Sequence, residues 1–244
     1  MKPFRITTLL LILTSSRTLF AGDIQFQSGE EQNQLIELYT SEGCSSCPPA
    51  ERWLNSLRDN PTLWQDQIPV AFHVDYWNKL GWKDRFSSPA YSARQRAYAR
   101  HWRARTVYTP EFVVNGQEWR GWHGAGVPDN AARNVGELTV LLKGEALTVS
   151  FEPQITLPDS LVLHVARLGM DRTTQIRAGE REGEKTTHHF VVLEHKSINS
   201  DSHQWQTRIP LSQDDKEGKQ ALAVWVTRQN DPTPIQSTGG TLSR

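Results

Sequence analysis

Leu35-Ile36-Glu37-Leu38-Tyr39-Thr40-Ser41-Glu42-Gly43-Cys44-Ser45-Ser46-Cys47-Pro48-Pro49-Ala50-Glu51-Arg52-Trp53-Leu54-Asn55-Ser56-Leu57 contains both cysteines of a 244-residue chain. Leu35 to Tyr39 reads as a short apolar strand, and Ala50 to Leu57 reads as a helix. The two cysteines sit three apart at the turn between them. A thiol there meets the unpaired amides and the positive end of a helix, which stabilise a thiolate. That is the chemical requirement for thiol–disulfide exchange. Cys44 is expected to be the exposed attacking thiolate. Cys47, one turn further in, is expected to resolve a mixed disulfide. Pro48 and Pro49 fit because first-turn amides have no partner inside the helix to lose.

Other uses of the pair fit less well. A disulfide closing so short a loop constrains the unfolded chain little, so a purely structural staple is weakly supported. Structural zinc takes four ligands, and two cysteines supply half of them. Two thiolates suffice for Cu(I), so copper binding stays open.

Lys and Arg number 27, as do Asp and Glu, for a formal charge of zero; no basic excess points to nucleic acid. Hydrophobic residues make up 37% and there are nine tryptophans, enough to fill a core. Residues 1–21 read as a signal peptide. Lys2 and Arg5 precede the apolar run Ile6 to Leu13, which is too short to span a bilayer, and Ala21-Gly22 is a plausible cleavage point. An exported product, periplasmic or secreted, would have no stable membrane anchor and would sit where disulfides persist.

Ile68 to Asp75 reads as a second strand, with His73 and Asp75 on one face. Ser88-Pro89 opens a helix, Ser at the cap and Pro at the first position. Its inner face is expected at Ala90, Ala93, Ala97 and Trp102, and a solvated arginine stripe at Arg96, Arg100 and Arg103. Asn115-Gly116 between two strand-like runs signals a hairpin. Pro128-Asp129 is read as opening a further helix through Ala132, Val135, Leu138 and Leu142. From about Lys143-Gly144 the pattern changes to short strands: Leu147–Glu152, Leu161–Leu168, Thr186–Leu193, Gln204–Ile209 and Ala221–Thr227. The final Ser-Thr-Gly-Gly reads as a frayed tail. These signals predict an α/β domain over 22–143 and an all-β, sandwich-like domain over 144–244.

The strand before Cys44, the Cys-x-x-Cys opening a helix, and Thr109-Pro110 ahead of the hairpin resemble a thioredoxin fold. The longer run, with Glu37-Leu-Tyr-Thr-Ser-Glu-Gly-Cys-Ser-Ser-Cys-Pro-Pro-Ala and His73-Val-Asp-Tyr-Trp, resembles a family of secreted bacterial thioredoxin-like proteins, the domain of unknown function 1223. The resemblance implies a thioredoxin-like domain over 22–143, a cis Pro110 facing the cysteines, and a disulfide between Cys44 and Cys47. It supplies no substrate. Gly43 and Ser45-Ser46 depart from thioredoxin's own Trp and Gly-Pro, so its redox potential does not carry over.

Glu37 is the polar exception in its strand. Buried beneath Cys47 it would have a raised pKa and could take that thiol's proton; salt-bridged at an edge it would be structural. Thr109 beside Pro110 would offer backbone groups to an extended substrate. His73 and Asp75 could form a polar pair at the substrate side, or be satisfied structural groups. Trp77 and Trp82 read as packing. His188 and His189 alternate in orientation and so do not share a metal. The reading that results is an exported thiol–disulfide exchange protein with Cys44, Cys47, Pro110 and Glu37 catalytic, and Thr109, His73 and Asp75 contacting substrate. It needs no dissociable cofactor or metal, and its partners are protein or small-molecule thiols and disulfides. The rival is a non-enzymatic binding module, such as a Cu(I) carrier or a partner-docking protein.

Overall fold

The computed structural model describes residues 22–124, 126–128, 130, 132–210 and 219–242. The expected signal peptide lies outside them, as does Asp129. In chain order the elements are β1 (Ile24–Gln27), β2 (Gln34–Thr40), α1 (Pro48–Ser56), β3 (Gln67–His73), α2 (Pro89–His101), β4 (Glu111–Val114), β5 (Gln117–Trp119), β6 (Gly136–Lys143), β7 (Ala146–Pro153), β8 (Leu161–Gly169), β9 (Arg172–Gln175), β10 (Lys185–His188), β11 (Val191–Ser200), β12 (Gln204–Arg208), β13 (Gln220–Arg228) and β14 (Pro234–Thr241).

Eight strands form one sheet in the order β14-β13-β8-β11-β3-β2-β4-β5. β2 and β3 are parallel, as are β3 and β11; the other neighbours run antiparallel. A second sheet, β1-β6-β7-β12, is antiparallel, and β9 and β10 form a separate ribbon. One face of the large sheet is covered by α2, whose Tyr91 and Tyr98 pack with Leu35, Tyr39, Phe72 and Trp225. The opposite face is shared. Ala50 and Leu54 of α1 cover Ile36, Leu38 and Phe112, while the four-stranded sheet covers Leu163, Val165 and Val224.

This corrects the expected fold class. There is no α/β thioredoxin-like domain followed by a separate β domain: the chain is mostly strand, with two α-helices among the described residues. β2 to β5 form half of a sheet whose other half comes from later in the chain. β11 completes the outer edge of β3, where the Ala71 amide donates to the Phe190 carbonyl at 2.8 Å. Pairing satisfies backbone groups that an isolated edge would leave to water.

Three element-level expectations also change. The helix expected after Pro128 is instead β6, where Leu138, Val140 and Leu142 are buried in strict alternation. Val135, Leu138 and Leu142 satisfy helical spacing as well, which is why the period misled. The expected tail is β14, buried from Pro234 to Gly240. On α2 the buried residues are Tyr91, Ser92, Gln95, Tyr98 and Ala99, so the expected alanine face turns partly outward. Two tyrosines offer more apolar area than three alanines, and they decide the helix's rotation.

Two other local readings hold, whereas the strand expected over Thr186–Leu193 is split between β10 and β11, which belong to different sheets. Ser88 caps α2 by accepting from the Ala90 amide at 3.2 Å, with Pro89 in the first turn. Asn115 (φ 46°) and Gly116 (φ 82°) form the two-residue turn between β4 and β5. A Cβ at Gly116 would lie 2.8 Å from the Thr233 side chain, so both φ and space require glycine.

Candidate functional site

Cys44 and Cys47 are joined by a disulfide at the β2–α1 turn. The turn forms because the Cys44 amide donates to Ser41 O and the Cys47 amide to Cys44 O. The Cys47 carbonyl then accepts from the Ala50 and Glu51 amides, which starts α1 with Pro48 and Pro49 where no donor is needed. Both cysteines are 0% exposed, whereas Ser45 and Ser46 face solvent. Cys44 is therefore not exposed in the disulfide form, contrary to the expectation from its position. A helix start can lie against other elements, and here it does.

The covering group is Thr109. Its hydroxyl donates to Cys44 Sγ at 3.3 Å and accepts from Trp77 Nε1 at 2.8 Å. The Thr109-Pro110 bond is cis. Gly43 lets the loop pass Trp77, since a Cβ there would be 3.3 Å from the tryptophan's own. Beside the turn opens a cleft of about 630 Å³ lined by Ser46, Pro49, Tyr108, Pro110, Arg120, Trp122 and His123. Ser46 Oγ is 3.4 Å from Cys44 Sγ, so the cleft wall touches the sulfur. Trp122 and His123 stack at 3.6 Å, and the Arg120 guanidinium lies 5.8 Å from the Tyr108 ring centre.

Glu37 lies elsewhere. It is buried on the α2 face, and Ile36 and Leu38 on the α1 face separate it from the cysteine turn. Arg94 grips it bidentately at 2.8 and 2.9 Å, and the hydroxyls of Tyr98 and Tyr39 donate to it at 2.5 and 2.9 Å. Burial and the Glu37 charge push both tyrosines well above their ordinary pKa. This is a closed structural ion pair, not a proton acceptor beneath Cys47. His73 and Asp75 do not meet either. Asp75 accepts from Ser92 Oγ at 2.5 Å and holds α2, while His73 Nδ1 bonds Asp84 Oδ2 at 2.6 Å.

The groups that do lie around the cysteine turn were mostly not singled out from the sequence. Glu42, two residues before Cys44, accepts from Trp82 Nε1 at 2.8 Å and faces His188 Nε2 at 3.1 Å; its amide donates to Asp84 at 2.8 Å. Glu51, one turn beyond Cys47, accepts from Thr40 Oγ1 at 2.8 Å and pairs with Arg181 at 3.3 Å. The β9–β10 ribbon and its connecting loop thus deliver His188 and Arg181 onto acids from the first half of the chain. Burial opposes charge on Glu42, Asp84 and His73, but their partners outweigh it. His188 holds Glu42 below the usual carboxylate range, His73 does the same for Asp84, and Asp84 raises His73. The signal available in the sequence was Glu42 itself, a carboxylate beside the motif. Its partners lie 42 and 146 residues away, beyond any local pattern. His188 and His189 do diverge as expected, His189 contacting Arg58 at 3.1 Å.

No curated protein matches the chain. Among solved structures, a crystal structure of a protein from Agrobacterium tumefaciens is similar over 88% of this chain and 94% of that one, at 23% identity and a TM-score of 0.63. HBP35 of Porphyromonas gingivalis is similar over 88% and 76%, at 13% identity and a TM-score of 0.53. At these identities the likeness is one of fold. A family model matches residues 35–227, from the first residues of β2 to the end of β13. That stretch holds the disulfide turn, the threonine over it and the acids and histidines around it, and by this match the chain belongs to the family described as protein of unknown function (DUF1223).

Proposed function

We propose that the protein is an exported thiol–disulfide exchange protein whose working group is the Cys44–Cys47 pair. The observation that carries this reading is the setting of Cys44. Its sulfur receives the Thr109 hydroxyl and touches the wall of an open cleft, while Cys47 caps the helix behind it. A hydroxyl aimed at sulfur, and a helix start beside it, both favour thiolate over thiol. The step runs as follows. An incoming thiolate attacks Cys44 Sγ, the Cys44–Cys47 bond breaks, and Cys47 departs as thiolate. A second thiol attacks the mixed disulfide, releasing an oxidised product and a reduced cysteine pair. The reverse sequence oxidises a partner's dithiol.

Equilibrating the protein in glutathione buffers tests this. The pair should interconvert with a single two-electron midpoint, and Cys47→Ser should hold a stable mixed disulfide on Cys44. A disulfide that stays closed across the whole buffer range, or a C47S variant that captures no thiol, overturns the reading. Stoichiometric retention of Cu(I) by reduced protein that exchanges no disulfide would replace it with a copper carrier.

A further inference from the structure

The outward-turned alanines of α2 line a cleft. Ala90, Ala93 and Ala97 form one wall of a space of about 850 Å³ between α2 and the large sheet, on the face away from α1. Its floor is His164 of β8, His195 and Ser197 of β11, and Thr227 of β13. Four cationic or titratable side chains complete the lining: Arg94, Arg100 and His101 of α2, and Arg228 of β13. Arg94 is tied to Glu37. Arg100 and Arg228 have no ion pair and no side-chain hydrogen bond among the described residues. Asp231, the one acid in the lining among the described residues, already accepts from the Thr233 amide at 2.9 Å.

Hydrogen bonds on the floor fix its protons. The Thr227 hydroxyl donates to the Arg228 carbonyl at 3.1 Å, so toward His164 Nε2, also 3.1 Å away, it accepts. His164 therefore carries its proton on Nε2, and its Nδ1 is an acceptor. That atom receives Ser197 Oγ at 3.0 Å and His195 Nε2 at 3.2 Å, which places the His195 proton on Nε2. Both rings stay neutral, because burial and the Arg94 charge push His164 well down and His195 to about 3. A neutral imidazole protonated on Nε2 has a bare acceptor at Nδ1. His195 Nδ1 has no partner among the described residues, and it is not sealed from solvent. The two imidazoles and Trp225 lie parallel within 5°, which holds that acceptor in place.

The cleft thus combines a bare acceptor on its floor with two unpaired guanidiniums in its lining. A ligand that satisfies both supplies a hydroxyl or N–H to the first and an anionic group to the second. The remaining surface limits the body of the ligand. Beyond the alanines the apolar lining is Val162 and Pro232, and no Phe, Tyr or Trp takes part among the described residues. An alkyl chain would find little apolar area, and a flat aromatic base would find no large ring to stack on. The geometry points to this cleft as a binding site for a sugar-sized hydroxylated anion, a sugar phosphate or a sugar acid. The site lies on the other face of the sheet from α1 and does not rest on the exchange reading.

Calorimetric titration of the native protein tests this with glucose 6-phosphate, glucuronate, glucose and inorganic phosphate as probes. At least one of the two sugar anions should bind with one-to-one stoichiometry, and the one that binds identifies the anionic group. Glucose and inorganic phosphate each lack half of the recognition and should bind about 10-fold more weakly or worse. Arg100→Gln and Arg228→Gln should each weaken binding of the sugar anion by about 10-fold, the loss of one hydrogen bond to a charged group. Ala93→Phe, at an exposed position of α2, should fill the cleft and abolish binding while the thermal melt stays native. No binding of either sugar anion overturns the proposal. So does inorganic phosphate that binds as tightly as the sugar anion, native affinity in both arginine variants, or native affinity in a folded A93F protein.

Discussion

Glu111 follows the cis bond directly, yet its side chain turns to the α2 face, where Gln95 Nε2 donates to it at 2.6 Å. Burial pushes its pKa from 4.5 up to about 7, which the Gln95 contact only partly opposes. The folded state therefore holds this proton more tightly than the unfolded chain does. Stability from this group is complete below pH 4.5, declines as pH rises toward 7, and levels off above it. The decline should be about 1–3 kcal/mol, the lower part of that range reflecting screening by nearby solvent. Glu111→Gln keeps an acceptor for Gln95 and should flatten this part of the profile. Urea midpoints of both proteins at pH 4.5 and pH 8 check it, and equal slopes would refute it. Glu37 shows the limit of reading a single residue. Its burial in an apolar strand was open to sequence reasoning. Its partners Arg94 and Tyr98 lie 57 and 61 residues away, and they make it structural.

At the scale of elements, the instructive case is β14. Its Ser237-Thr238-Gly239-Gly240 run has neither apolar alternation nor strand propensity. Its neighbours explain it. A Cβ at Gly240 would fall 2.0 Å from the Phe26 ring of β1, and one at Gly239 would fall 2.5 Å from the Leu222 carbonyl and 2.9 Å from Trp64. The glycines are there because rings and backbone from other segments of the chain occupy the space. Gly240→Ala should therefore destabilise by about 1–3 kcal/mol, as overpacking does, despite adding only a methyl group. A thermal melt within experimental error of the native protein would show that Phe26 moves aside freely. The elements recognised correctly, α1, α2 and the β4–β5 hairpin, carry their signal in a few adjacent residues: Pro at a helix start, Ser88 at a cap, Asn-Gly at a turn. β6 and β14 failed because their identity is set across the sheet.

The whole molecule is held together at β3 and β11, where parts of the chain far apart in sequence run side by side. The ion pairs Glu42–His188 and Glu51–Arg181 cross the same divide. A chain ending at residue 143 would lose β11 along β3 and leave buried acids unpaired, a penalty of several kcal/mol at each site. Such a fragment should show no cooperative melting transition, and its Cys44–Cys47 disulfide should be reduced more readily than in the full chain. A fragment that melts cooperatively would show that the first half folds alone. Local sequence determined the cysteine pair, the strand–helix turn that carries it and the Thr109-Pro110 step beside it, because these depend on caps, turns and spacing within a few residues. Tertiary structure alone decided that one sheet runs through both halves, that Glu37 faces away from the cysteines, and that Asp84 rather than Asp75 holds His73. Those outcomes depend on which distant segment satisfies a buried edge or charge, and hydrogen bonding and desolvation settle that only once the chain has closed on itself.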